Sequence, residues 1–239
     1  MPSEPNANFE QNSLLRRLPA ELRDRLVSIG ERRKWKQGDV VYQRGQEIDS
    51  VYFPLDAMIS VMVNLQGDRV IEVATVGPDG FIGVPVLCGV TVCSRDVTVT
   101  ATGEMIGVKV ERLKSLMESE PVLRETLHRS MLAIKFQSSQ KTACSQLHAT
   151  EQRLCWWILN YADATGQPEL AITQQHLAWM LGVRRATVTE ILQSLRDQNC
   201  VSYRRGRITI EDRDKLESRC CECYDIVESY YEQLFDVTV

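Results

Sequence analysis

Residues Thr173 to Leu195 read TQQHLAWMLGVRRATVTEILQSL, and the spacing inside this stretch decides the fold around it. Ala178 stands four residues before Gly182, and Val188 six residues after it. Two helices joined by a tight turn need such an arrangement. A small alanine lets the second helix approach the first, a glycine takes the left-handed turn, and a valine anchors the second helix in the shared core. Leu177, Leu181, Val183, Ile191, Leu192 and Leu195 fill the other inward positions. Thr173 is an N-cap by residue type, although His176 three residues on precludes a full capping box. The second helix begins at about Arg185, so its first turns present Arg184, Arg185, Ala186, Thr187, Thr189 and Glu190, where a recognition helix offers groups to base edges. Immediately downstream, Val201 to Ile210 places apolar residues on both sides of Arg204, Arg205, Gly206 and Arg207, which reads as a hairpin with Gly206 in its turn. Ala178, Gly182 and Val188 alone would also suit an ordinary helical hairpin. Joined to an arginine-rich hairpin, they point to double-stranded DNA.

The charge of the whole chain opposes that reading only until it is divided. The 239 residues hold 28 Lys and Arg against 32 Asp and Glu, a net charge of −4. Residues 1–148 are balanced, with eighteen of each sign. Residues 183–208 carry six arginines against Glu190 and Asp197, while residues 211–239 carry nine acids against three bases. The bulk value thus hides a compact basic patch beside an acidic tail. A 44% hydrophobic and 25% charged composition is that of a globular protein rather than a disordered one. No apolar run approaches the roughly 20 residues of a bilayer span, and the polar start, Met1 to Gln11, lacks the pattern of an export signal. A cytoplasmic protein without membrane contact is expected, with its eight cysteines reduced rather than forming a disulfide scaffold. No Ser–His–Asp set, carboxylate pair or P-loop stands out, so an enzyme is not expected.

Working outward toward the N-terminus, Leu14–Leu18 and Ala20–Ile29 show helical spacing. From Arg33 to about Val110 the texture changes to short β-rich runs: Val40–Tyr42, Val51–Phe53, Met58–Leu65, Val70–Val76, Val97–Ala101 and Met105–Val110. Turn residues separate them, including Gln66-Gly67-Asp68 and Gly77 to Gly80. Such spacing predicts a small antiparallel barrel or roll. Ser119, ahead of Glu120 and Pro121, is read as the start of a long helix. Leu123, Leu127, Met131 and Ile134 form one face of it, to be covered by the roll or by the same helix of a second copy. Ser138 and Lys141 then interrupt that face. Helices are also expected over Glu151–Asp163 and from Asp212 to about Phe235. The fold class is α+β, with a sensor domain at 1–120, a dimerisation helix and hinge at 121–148, and a winged helix-turn-helix with a terminal helix at 149–239.

This organisation resembles the cyclic-AMP receptor protein / Fnr superfamily of bacterial transcription regulators, over nearly the whole chain from Leu14 and most specifically over Ile172–Ile210. The resemblance implies a homodimer on a palindromic operator, with RNA polymerase as a further partner. It also implies a cyclic-nucleotide-binding-like roll as the sensor and a wing that touches phosphate. Arg185 matches the arginine that reads guanine, through bidentate bonding to the N7 and O6 acceptors. Ala186 and Glu190 replace a glutamate and a second base-reading arginine of the receptor protein, so a different operator is expected. The candidate DNA contacts are Arg184, Arg185, Thr187, Thr189, Glu190, Arg204, Arg205 and Arg207.

In nucleotide-binding members a Gly-Glu pair holds the ribose, and an arginine about ten residues on pairs with the cyclic phosphate. Here Gly83 is followed by Val84, and Arg95, which aligns with the phosphate arginine, is followed by Asp96. A valine cannot accept the ribose hydrogen bond, and a carboxylate beside Arg95 repels phosphate. Gly83, Val84, Arg95 and Asp96 are therefore the candidate effector pocket of a sensor that does not take a standard cyclic nucleotide. No cysteine precedes Cys88, which excludes the N-terminal iron–sulfur cluster of some members. Cys220, Cys221 and Cys223 are candidate redox thiols. Placed on one continuous helix, adjacent cysteines point about 100° apart and cannot all face one metal, so neither a metal nor any other cofactor is assigned. The competing functional class is a small-molecule or thiol-redox sensor whose winged domain contacts protein rather than DNA.

Overall fold

The β-rich runs between Arg33 and Val110 pair into two sheets in the computed structural model, which describes residues 11–66 and 69–236, with antiparallel pairing of β1 and β3 to β7 and of β2 to β6. The polar start through residue 10 and the Gly67-Asp68 turn lie outside the described residues. Two short helices, α1 (Ser13–Arg16) and α2 (Ala20–Ser28), come first. The strands are β1 (Glu31–Trp35), β2 (Val40–Tyr42), β3 (Ser50–Pro54), β4 (Met58–Leu65), β5 (Arg69–Val76), β6 (Asp96–Ala101) and β7 (Gly103–Lys109). One sheet has the order β1-β7-β3 and the other β2-β6-β4-β5. Strand β1 carries four exposed residues before buried Trp35, so it shows no alternation. What holds it is the ladder to β7, from Glu31 opposite Gly107 to Trp35 opposite Gly103, and the edge-on packing of Trp35 against Tyr52 at 5.3 Å.

Ser119 does not start the long helix. It closes a separate amphipathic helix, α3 (Val110–Ser119), whose Val110, Leu113 and Leu116 are buried and whose last hydroxyl bonds back to the Leu116 carbonyl at 3.1 Å. Helix α4 then runs over Pro121–Leu147. The chain divides into two compact units, Met1–Ser60 with Thr75–Ile134 and Val61–Ala74 with Lys135–Val239, so the division falls inside α4. In the first unit the leading half of the expected dimer stripe is already covered. Leu123 and Leu127 are 0% and 1% exposed within a single chain, so they have no surface to offer a second copy, while Met131 and Ile134 are half-buried. The apolar residues that α4 does expose there are Val122 and Leu132. At 100° per residue they lie within about 80° of each other, on the opposite side from Leu123 and Leu127.

The second unit contains the parts of β4 and β5 that fall within Val61–Ala74, then α5 (Thr150–Thr165), β8 (Glu169–Ala171), α6 (Gln174–Leu181), α7 (Arg185–Asp197), β9 (Val201–Arg204) and β10 (Arg207–Ile210). Its last elements are α8 (Arg213–Glu217) and α9 (Cys223–Asp236). The single terminal helix expected from Asp212 is thus broken at residues 218–222. Asp212 caps α8 by accepting from Lys215 N–H at 3.1 Å, and Ser218 ends it. The polar interruption of α4 also finds its cause in this unit. Ser138 donates to the Val73 carbonyl at 2.8 Å, and Lys141 sits 2.6 Å from the carboxylate of Glu72, whose side chain is 1% exposed. The Trp157 indole N–H approaches the other Glu72 oxygen at 3.4 Å. Residues that broke a regular stripe in sequence are therefore the anchors of β5 at Glu72 and Val73. Among the described residues, no helix is long and apolar enough to cross a membrane.

Candidate nucleic-acid interface

The sequence Thr173–Leu195 folds as its spacing requires. Thr173 accepts from His176 N–H at 3.2 Å and starts α6, which ends at Gly182 with φ 66°. The Gly182 N–H bonds to the Trp179 carbonyl and the Val183 N–H to the Ala178 carbonyl, a Schellman closure that only a left-handed residue completes without strain. Arg153 of α5 adds a bond of 2.7 Å to the Leu181 carbonyl, covering one of the carbonyls that the helix end leaves without a partner. Ala178 and Val188 are 1% and 0% exposed, and Leu177, Leu181, Leu192 and Leu195 are buried with them. Val183 and Ile191 are half-buried.

This core leaves the first turns of α7 free. Arg184, Arg185, Ala186, Thr189 and Glu190 are exposed and Thr187 is half-buried. Thr189 donates to Gln174 Oε1 at 2.8 Å and is 3.0 Å from the Arg185 carbonyl, so its hydroxyl ties α7 to the start of α6. The hairpin forms with Arg205 at φ 49° and Gly206 at φ 77°, the two positive values of a type I′ turn. A Cβ at Gly206 would lie 3.9 Å from the Thr173 methyl, which puts the wing tip beside the beginning of α6. Strand β10 pairs with β9 on one side and β8 on the other, making a three-stranded wing whose third strand was not legible in the sequence. That strand changes the wing's charge, because Glu169 of β8 is ion-paired with Arg207. Among the described residues, the guanidinium groups of Arg184, Arg185, Arg204 and Arg205 have no protein partner. Burial lowers the pKa of His176, which packs beside exposed Trp179, below its ordinary value.

In the first unit the candidate effector residues are not drawn into a phosphate cradle. Gly83, at φ 111°, opens the short 3-10 helix Val84–Cys88, and a Cβ there would meet Val51 at 2.9 Å and the Tyr42 hydroxyl at 3.1 Å. The space in front of it is already filled by that tyrosine, which donates to the Ser50 carbonyl at 2.6 Å. Val84 is half-buried; exposed Arg95 donates to the adjacent Ser94 carbonyl at 3.2 Å. Asp96 accepts from the Arg44 backbone N–H at 2.8 Å.

All eight cysteines are unbridged. The candidate thiols separate into two groups. Cys220 faces the Gln152 carbonyl at 3.8 Å, while Cys221 and Cys223 turn toward Cys144 near the end of α4. Sequence reasoning passed over Cys144 and His148, although their i, i+4 spacing placed them on one helix face.

Two family models match the chain: the cyclic nucleotide-binding domain over residues 32–120 and the Crp-like helix-turn-helix domain over residues 152–219. No curated protein matches it. Among solved structures, a CRP-family transcriptional regulator of Thermus thermophilus, TTHB099, is similar with a TM-score of 0.67 at 16% identity, covering 78% of this chain and 95% of that one. FixK2 from Bradyrhizobium japonicum gives 0.68 at 13% identity, over 81% and 98%. The c-di-GMP responsive global regulator CLP of Xanthomonas campestris gives 0.64 at 16% identity, over 81% and 100%. The roll, the long helix and the helix-turn-helix are therefore each accounted for by the same relatives, and the chain belongs to the Crp/Fnr superfamily of transcription regulators, with a helix-turn-helix DNA-binding domain.

Proposed function

We propose that the protein acts as a homodimer on a palindromic operator, reading it with Arg185 and holding it with the wing, under the control of a signal other than a standard cyclic nucleotide. The observation that carries this reading is the set of four exposed guanidinium groups without protein partners, Arg184 and Arg185 on the first turns of α7 and Arg204 and Arg205 at the wing. Positive charge left uncompensated on one element that enters a major groove and another that reaches phosphate is what sequence-specific DNA binding needs. Arg185 is the base reader; Thr189, held by Gln174, positions it by tying the two helices; Glu190 excludes bases that offer only acceptors at its position. In the dimer, Val122 and Leu132 supply apolar surface in place of the buried Leu123 and Leu127. RNA polymerase is the partner that a dimer bound at a promoter recruits or blocks.

The sensor reading rests on Val84, on Asp96 beside Arg95 and on the Tyr42 hydroxyl that fills the space before Gly83. A ligand in this roll has to approach by a chemistry other than a ribose–carboxylate bond and a cyclic-phosphate–arginine pair.

Selection of binding sites from random duplexes, followed by anisotropy titration of the chosen site, tests the function. Arg185→Ala is expected to weaken the selected site by about 1–3 kcal/mol, about fivefold to 150-fold, and to flatten discrimination at one base pair per half-site. Enrichment of no sequence would favour a winged domain that contacts protein. An Arg185→Ala protein with unchanged affinity and preference would remove the base-reading role.

A further inference from the structure

At the break between α8 and α9, two cysteines 77 and 79 residues downstream of Cys144 return to it. Cys144 Sγ and Cys221 Sγ are 3.5 Å apart, Cys223 Sγ is 3.4 Å from His148 Nδ1, and all four ligand atoms lie within 4.8 Å of one another. Cys144, Cys221 and Cys223 are 1%, 3% and 0% exposed, and the His148 side chain is 19% exposed. All four belong to the second unit.

The 3.5 Å and 3.4 Å separations are close to those of a tetrahedral donor set, and the widest, within 4.8 Å, need close by no more than about 1 Å. Metal–sulfur bonds of about 2.3 Å and metal–nitrogen bonds of about 2.0 Å put sulfurs about 3.8 Å apart, and sulfur and nitrogen about 3.5 Å apart, around one zinc-sized ion. A disulfide would need about 2.05 Å between Cys144 and Cys221. The surroundings also suit an ion. The other ring nitrogen of His148, Nε2, lies 3.2 Å from Glu222 Oε1, so a carboxylate stands ready to accept an Nε2 proton while Nδ1 faces the thiols as a ligand atom. Gln140 Nε2 donates to Cys223 Sγ at 3.2 Å, a bond that stabilises a thiolate. The His148 N–H reaches the Cys144 carbonyl at 3.0 Å, extending the last turn of α4 so that its i, i+4 pair shares one face. The helix break at 218–222 frees Cys221 and Cys223 to face inward together, which a continuous helix forbids.

We propose that Cys144, His148, Cys221 and Cys223 form a closed, structural Cys3His site for a single borderline-soft divalent cation of the zinc class. On binding, three S–H bonds break, three metal–sulfur bonds and one metal–nitrogen bond form, and three protons leave to solvent; nothing is oxidised or reduced. With all four positions taken by protein, the ion has no open coordination site and clasps the end of α4 to the start of α9. Glu222 and Gln140 are positioning residues, acting through His148 and Cys223.

The test uses the full chain, produced in ordinary medium and purified anaerobically with reductant and without chelator. About one zinc per chain is expected by elemental analysis, resisting dialysis. Replacement by Co2+ is expected to give visible d–d bands of tetrahedral intensity together with thiolate-to-cobalt charge transfer. Cys220→Ser should retain the ion, and Cys144→Ser and Cys223→Ser should lose it. Glu222→Gln should keep the tetrahedral spectrum while losing about 10- to 100-fold in affinity against a competing chelator. Because the cysteine variants can fail to fold, the wild-type cobalt spectrum decides independently. The site is overturned by folded wild-type protein holding less than a tenth of an equivalent, by an octahedral cobalt spectrum, or by iron with inorganic sulfide in place of zinc. A Cys144–Cys221 disulfide in the anaerobic protein, or equal loss on Cys220→Ser, overturns it as well. None of these readouts depends on DNA binding.

Discussion

Separating Lys141 from Glu72 should destabilise the second unit far more from one side than from the other. The Glu72 side chain is 1% exposed and that of Lys141 is 18% exposed, with 2.6 Å between nitrogen and oxygen. Lys141→Met keeps the length of the aliphatic stem but takes the Lys141 charge away from a buried carboxylate, at a cost of about 3 kcal/mol. Glu72→Gln leaves an ammonium that can reach water and that still lies 5.8 Å from the Trp156 ring centre, so it should cost about 1 kcal/mol. The pair replaced together, Glu72→Gln with Lys141→Met, should also lose only about 1 kcal/mol, because no uncompensated charge remains. Urea unfolding followed by tryptophan fluorescence reads this unit, since Trp156, Trp157 and Trp179 lie in it and only Trp35 lies in the other. A Lys141→Met loss below about 1 kcal/mol, or a double variant that loses as much as both singles combined, would refute the reasoning. Either result would mean that Glu72 is satisfied without Lys141.

Salt dependence distinguishes the wing arginines. Arg204→Ala and Arg205→Ala should each weaken all DNA sequences alike and reduce the slope of log affinity against log salt by about 1, whereas Arg207→Ala, whose guanidinium is paired with Glu169, should change the slope less; equal slopes for all three would contradict the assigned roles. Calorimetric titration of the full chain with cyclic AMP or cyclic GMP should show no saturable heat, and stoichiometric binding of either would show that Arg95 takes a phosphate despite the carboxylate of its neighbour Asp96 and that Tyr42 vacates the space before Gly83.

What the sequence disclosed and what it withheld differ in range. The helix-turn-helix was legible because Ala178, Gly182 and Val188 act within a few residues of one another, each with a single physical reason for its type. The Arg205–Gly206 turn was legible on the same grounds. Strand β1 escaped because four of its five residues are exposed, so its pairing comes from β7 and not from its own pattern. Helix α3 escaped because Val108 and Val110, alternating across Lys109, continue the strand pattern and mask the helical spacing of Leu113 and Leu116. The face assigned to α4 was apolar in fact, but an apolar stripe does not say what covers it: Leu123 and Leu127 serve their own chain. The meeting of Cys144 with Cys221 lay furthest out of reach, since 77 residues separate them and the intervening break in the terminal helix has no proline or glycine to announce it.

That meeting also fixes how the reading head is joined to the rest of its unit. The polypeptide leaves α4 at Leu147, builds α5, both helices of the reading motif and the wing, and comes back to within 3.5 Å of Cys144 before α9 begins. Entry and exit of that excursion are adjacent, as in a domain inserted into a host at one point. A cross-link there would close a loop of about 77 residues and remove about 4.5 kcal/mol of disorder from the unfolded chain. A pull on the end of α4 would reach the head through both of its strands of attachment at once, so the head should swing as one piece rather than unravel from either end.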